Sequence, residues 1–218
     1  MLKVIIDQCS IMTYYELEEV EGVSRIVKNP DERRRELLVT AMRLFAEEGY
    51  DNVSVRAVAR AAGVAPGLAY HYFDSKQSMF DAAIEEYSRR CAEGIIAILD
   101  DRGLSLDEKL DRAIEAGSDP GAFDYADFFH AEGNGALHDR LSLGMCEAVQ
   151  PHLRAALELD ALLRGGSRGD ADGLAALMSY GCIGLASGPG MPDEGAVRTA
   201  KRYFAALVAE FRSGEKAD

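Results

Sequence analysis

The chain has 218 residues, 48% of them hydrophobic, and a formal net charge of −13. That length supports a buried core in one large or two small domains, while no run approaches the roughly 18 consecutive apolar residues of a membrane-spanning helix, and the short apolar run after Lys3 is broken by Asp7 and Gln8, unlike a secretory signal. The four cysteines, Cys9, Cys91, Cys146 and Cys182, form no CxxC pair and read as reduced thiols of a cytoplasmic protein.

Residues 1–30 form an acidic and apolar N-terminal extension, with Glu16, Glu18, Glu19 and Glu21 close together. It reads as a flexible tail or a short helix over 13–23, and Met12 is an alternative start. Asn29-Pro30-Asp31 then opens a helix, with Asp31 and Glu32 at the positive end of its dipole. Leu37, Leu38, Ala41, Leu44 and Phe45 give it an apolar face as far as Glu48, and Gly49 stops it. Three arginines, Arg33, Arg34 and Arg35, lie in its first turns, either as solvated cations or as phosphate contacts.

Ser54 is placed to cap a second helix. Val55, Val58, Ala59 and Ala62 recur on one face, and Arg56 and Arg60 lie off it. Gly63 falls where this helix ends, Val64 follows as an apolar plug, and Pro66 suits the first turn of a third helix. That helix runs to Phe73 and carries Gly67, Leu68, Tyr70, His71 and Tyr72. Two short helices joined by so tight a turn are a helix-turn-helix, whose second helix enters the major groove of duplex DNA while the first crosses the backbone. Gly67 lets backbone approach DNA closely, the tyrosine hydroxyls suit phosphates, and His71 suits a base edge or a phosphate.

Ser75 can cap a long fourth helix over 76–100, with Lys76 at an N-terminus that favours phosphate. Its apolar side, from Met79 to Leu99, ties the first domain to the rest. Further helices are expected over 105–116, 122–132, 136–163 with Pro151 kinking or splitting it, 171–187 and 193–211. Gly188-Pro189-Gly190 makes a sharp connection, and the last residues fray. No strand signal appears, so the expected class is all-α. A three-helix helix-turn-helix head over 31–78 precedes a larger helical body over 79–218.

Charge is distributed unevenly. Residues 33–90 hold nine Lys/Arg and eight Asp/Glu, residues 1–32 three and seven, and residues 91–218 twelve and twenty-two. The acid thus lies outside the head, although a head this close to neutral is a weak electrostatic footprint.

The pattern S-V-R-x-V-A-x-x-A-G-V-x-x-G-x-x-Y-x-Y-F-x-S-K over residues 54–76 resembles the tetracycline-repressor (TetR) family of bacterial transcription factors, and the resemblance extends over about 31–80. Two positions depart from it: Ala65 stands where a capping Ser or Thr is common, and Leu68 where a phosphate-binding Thr is common, so that Leu68 suits a thymine methyl instead. The resemblance implies a ligand-released repressor that binds a palindromic operator in double-stranded DNA as a homodimer. Its DNA-contacting positions are then Arg35, Ser54, Val55, Arg56, Pro66, Gly67, Leu68, Tyr70, His71, Tyr72 and Lys76. Within them, Phe73 and part of Tyr70 pack inward while His71 and Tyr72 face DNA. A small-molecule effector of unknown identity is implied inside the body, with Phe123, Tyr125, Phe128, Phe129, Met145, Met178 and Tyr180 as candidate lining, although the same cluster suits plain core. The last two helices are implied to pair with a second copy through Gly181, Gly184, Phe204, Ala205 and Val208, residues that equally suit packing within one subunit.

Three other readings compete. His130, His138, Cys146 and His152 gather in one stretch, as in a metal-responsive sensor, but spacings of eight do not place ligands on adjacent helical turns, and no metal ligand or cofactor is assigned. No HExxH, GxSxG, P-loop or GxGxxG motif supports an enzyme. A helix-turn-helix protein acting through protein contacts is the remaining alternative.

Overall fold

The computed structural model describes residues 29–165, 169–186 and 192–214, and among these it contains nine α-helices and no β-strand. The N-terminal extension up to residue 28, the start at Met12, Cys9 and the Gly188-Pro189-Gly190 connection lie outside the described residues. Helix α1 spans Pro30–Glu48. The Asn29 side chain accepts the Asp31 N–H at 3.1 Å, and Gly49 ends the helix at φ +82°. A single 3₁₀ turn over Tyr50–Asn52 leads to α2, Val55–Ala61, where the Ser54 hydroxyl accepts the Ala57 N–H at 3.1 Å.

The turn from α2 into α3 is closed by backbone alone. Gly63 sits at φ +67°, the Val64 N–H bonds the Ala59 carbonyl at 2.9 Å and the Gly63 N–H bonds the Arg60 carbonyl at 3.1 Å. This is the Schellman closure, which requires a left-handed residue at that point. Helix α3, Pro66–Tyr72, has no side-chain cap, as expected with alanine at 65. Helix α4, Lys76–Asp100, opens with a reciprocal Ser75/Ser78 capping box. The remaining helices are α5 (Leu106–Ser118), α6 (Ala126–His130), α7 (Gly135–Leu163), α8 (Ala171–Ala186) and α9 (Glu194–Gly214).

Helix α4 is the spine. Its first half packs on α1, and its length runs against α7 and α5, while α8 covers α7 and α9 covers α8 and α5. Close approach of α4 and α7 depends on Gly144, since a Cβ there would stand 2.9 Å from the buried Ser88 side chain. A core of Leu37, Phe45, Val58, Met79, Ile84 and their neighbours holds the head and extends to Tyr87, Phe129 and Leu141. A second core, around Leu99, Leu157, Met178 and Val208, holds the body. Residue 78, where a domain boundary was expected, falls inside α4, so one rigid element belongs to both parts.

Two expectations change. Of the two outcomes expected at Pro151, splitting does not occur: α7 is one helix through this exposed residue, because a helix of this length packed on α4 and α8 outweighs one missing N–H. The helix expected over 122–132 is a 3₁₀ turn at Pro120–Ala122 followed by the five-residue α6. Between them the Tyr125 N–H is taken by the Tyr87 hydroxyl at 3.2 Å rather than by helical bonding.

Candidate nucleic-acid interface and body cavity

Only Ala69 of α3 is buried, and Phe73 immediately after it is buried in the head core. Pro66, Gly67, Tyr70 and His71 are exposed, Leu68 is half-buried, and Tyr70 presents 45% of its surface. Tyr72 points the other way: it packs against the head core, and its hydroxyl donates to the Pro30 carbonyl at 3.2 Å. The two tyrosines therefore exchange the roles expected of them. Two residues along a helix are about 200° apart, so fixing one to α1 turns the other outward.

Three other expected DNA contacts are engaged within the protein. Val55 is 4% exposed and belongs to the core, because it lies on the apolar face of α2. Arg35 pairs with Glu86 at 3.2 Å, and Glu86, buried between α1 and α4, also pairs with Arg89. The Lys76 ammonium donates to the Tyr50 carbonyl at 2.9 Å and the Asp51 carbonyl at 3.3 Å, and lies 4.3 Å from the centre of the Tyr50 ring. It ties the start of α4 to the 50–52 turn.

Arg56 and Arg60 differ from these. Both are exposed on α2, four residues apart, and neither has an ion-pair partner among the described residues. Residues 53–73 contain no Asp or Glu. Several of the head's carboxylates are instead paired away from α3, Glu86 as above, Glu47 with Arg43 at 2.8 Å and Asp81 with Arg140. The near-neutral head thus separates its charge and leaves the α2–α3 face cationic. Ser54 is exposed beside this face, although its hydroxyl is engaged as a cap.

The body contains a cavity of about 220 Å³. Ile95 and Leu99 of α4, Phe123, Phe129, Met145, Met178 and Phe204 line it. Four of the expected lining residues are thus present. Tyr125 and Phe128 pack against the head core instead, and Tyr180 is exposed on the outer side of α8. Tyr87 of α4 stacks on Phe129 with ring centres 5.5 Å apart, which joins the cavity wall to the head core. Burial pushes the Tyr87 hydroxyl pKa upward, a shift reinforced by neighbouring Cys91.

Among the described residues no Asp, Glu, Lys or Arg lines the cavity. Its polar groups are His130, His138, Ser118, Ser142, Ser179 and the thiols of Cys146 and Cys182. His130 and His138 have ring centres 4.7 Å apart. Burial, together with His138, holds the His130 pKa below the usual imidazole value, with Asp127 acting in the opposite direction. The Cys146 Sγ donates to the Ser179 carbonyl at 3.0 Å; burial pushes its pKa up to about 12 and that of Cys182 up to about 11. His152 is outside the cavity and pairs with Asp100 at 2.9 Å. Among the described residues no three His, Cys, Asp or Glu side chains gather to hold a metal ion. Sequence reasoning missed the histidine pair as cavity lining, because the turn between α6 and α7, not helical spacing, brings the two rings together.

Of the residues expected at a dimer surface, Phe204 and Val208 are buried within the subunit, and Phe204 lines the cavity. The strongly amphipathic α9 turns its large apolar face inward. Gly181, Gly184 and Ala205 are exposed. Leu177, Tyr180, Gly181 and Gly184 make one outward stripe on α8, and Ala205, Ala206 and Ala209 another on α9. No helix among the described residues is long and apolar enough to cross a membrane.

Residues 37–83 match the model of the "bacterial regulatory proteins, tetR family". The HTH-type transcriptional repressor Rv1474c of Mycobacterium tuberculosis is 37% identical over 81 residues, covering 35% of this chain and 43% of that protein. The HTH-type transcriptional repressor KstR2 of Rhodococcus jostii is 49% identical over 55 residues, covering 25% and 27%. The chain spans less than half the length of these curated relatives. A transcriptional regulator from Pseudomonas aeruginosa PAO1 shares the fold with a TM-score of 0.53 at 21% identity, over 86% of this chain and 95% of that one. A TetR-family transcriptional regulator from Rhodococcus sp. does so with a TM-score of 0.51 at 24% identity, over 82% and 97%. Residues 37–83 thus match the head of the tetR family of bacterial regulatory proteins in sequence, with its turn closed by Gly63, and the body shares the helical fold of these solved regulators.

Proposed function

We propose that this chain is a sequence-specific DNA-binding transcriptional repressor, not an enzyme, acting in the cytoplasm as a homodimer and released from a palindromic operator by a small apolar effector. The observation that carries this is the α2–α3 face. An exposed helix presents Gly67, Tyr70 and His71 beside two arginines that have no ion-pair partner among the described residues, within a stretch, residues 53–73, that contains no carboxylate. Arg56 and Arg60 contact phosphates and set position, while Tyr70, His71 and Leu68 meet base edges or the adjoining backbone. That the curated relatives are named repressors supports the sign of regulation.

A palindrome requires a two-fold protein. The outward stripes of α8 and α9 favour pairing with a second copy, since glycine and alanine allow helices of two subunits to approach closely. The effector occupies the body cavity, whose wall includes Ile95 and Leu99 near the far end of α4. A ligand that prefers one position of α4, sensed through Phe129 and Tyr87, biases the spacing of the two heads by as much as its affinities for the two states differ.

The test is a reporter gene with a bound operator overlapping its promoter. Expression of the chain lowers reporter output, and the Arg56→Gln/Arg60→Gln variant at equal abundance does not. Increased output would overturn repression, and equal activity of wild type and variant would overturn the assignment of the face.

A further inference from the structure

We propose that the effector is an uncharged, ring-sized, mostly apolar molecule bearing a hydroxyl or carbonyl group that bonds Ser179. This rests on the assignment of the cavity as the effector site and names the chemistry it selects. Size comes first: cavities of about 150 Å³ hold benzene, so a cavity of about 220 Å³ suits a substituted ring of about nine or ten heavy atoms. Phe123, Phe129 and Phe204 supply aromatic walls for such a ring.

Charge comes second. Among the described residues no Asp, Glu, Lys or Arg faces the cavity, and burying an unpaired charge in an apolar site is strongly disfavoured. The His130 imidazole does not substitute for a fixed cation, because burial favours its neutral form. Asp127 beside His130 and Asp139, 3.8 Å from His138, further disfavour an incoming anion.

The polar handle comes third. Ser179 is 6% exposed and lines the cavity, and its buried hydroxyl has no hydrogen-bond partner among the described residues. A buried polar atom left unpaired costs stability, so a ligand oxygen placed there gains a bond that water-filled surroundings do not contest. The neighbouring Cys146 thiol, already bonded to the Ser179 carbonyl, marks the same wall as polar.

Isothermal titration calorimetry of the full chain at neutral pH with three matched rings separates the possibilities: 4-ethylphenol, 4-ethyltoluene and 4-methylbenzoate. The phenol is expected to bind at least tenfold more tightly than the benzoate and several-fold more tightly than the hydrocarbon. Ser179→Ala is expected to lower affinity for the phenol by about five- to tenfold and leave that for the hydrocarbon unchanged. Benzoate binding as tight as phenol, or equal affinities for phenol and hydrocarbon, would overturn the proposed chemistry while leaving the cavity as an effector site. Failure of all three to bind would overturn both. A parallel loss of phenol and hydrocarbon affinity in Ser179→Ala would assign that serine to packing and overturn its role.

Discussion

Replacing Arg56 and Arg60 together by glutamine tests the cationic face quantitatively. Both side chains are exposed and lack ion-pair partners among the described residues, and glutamine is about as good a helix former as arginine, so the fold is expected to persist. Each phosphate neutralised on B-DNA contributes about −0.9 to the slope of log affinity against log salt. Two arginines per protomer, four per dimer, therefore flatten that slope by about 3.6. Raising salt from about 50 to about 200 mM should then weaken the wild type about 150-fold more than the variant. Arg35→Gln is the internal control, since its guanidinium is held by Glu86 at 3.2 Å; it should leave the slope unchanged and lower thermal stability instead. Fluorescence anisotropy of a labelled operator duplex across four salt concentrations measures all three proteins. An unchanged slope in the double variant, or a slope lost in Arg35→Gln, would refute the division between free and engaged arginines.

Tyr70→Ala should lose about 1–3 kcal/mol of operator affinity with no change in melting temperature, whereas Tyr72→Phe, which removes the bond to the Pro30 carbonyl, should cost about 0.5–1 kcal/mol of stability; gel shift and thermal melting read the two, and the reverse pattern would contradict the orientation of α3. Gly144→Ala places a Cβ 2.9 Å from the buried Ser88 side chain, so chemical denaturation should show about 1–3 kcal/mol of destabilisation from overpacking; a neutral result would contradict the tight α4–α7 crossing. Folding lowers the His130 pKa through burial first and His138 second. Below about pH 6.5 the unfolded chain therefore binds more protons than the folded one, and stability falls as pH falls. Urea midpoints between pH 7.5 and 5.5 should decline less steeply in His130→Gln than in wild type, and equal slopes would contradict a folding-linked shift at His130.

Much of the head is legible in the sequence because its signals are local. Ser54, Gly63 and Ser75 act through hydrogen bonds to backbone within one turn, and Pro66 through its fixed φ at the first helical position, so each does in the structure what its residue type allows. The phase of α3 is not legible in this way. It is a two-turn helix with one buried residue, and the hydroxyl of Tyr72 is fixed by Pro30, forty-two positions earlier. The same holds for α9, where Phe204 and Val208 face the subunit interior and the exposed small stripe lies around the helix from them. In the body, Phe123, Phe129, Met145 and Met178, four of the seven candidates that the resemblance implied, line the cavity. The absence of charge from that lining among the described residues follows only from how six helices converge, and no spacing rule encodes it.

The central claim is that this protein reads duplex DNA as a two-fold dimer, and selection from a random duplex pool by the purified full chain tests it most directly. The account predicts enrichment of an inverted repeat bound by two chains, with half-sites about one helical turn or a multiple of it apart. It predicts that Tyr70→Ala selects no such site. Failure to enrich any sequence at low salt, or enrichment of a single unrepeated half-site bound by one chain, would contradict it.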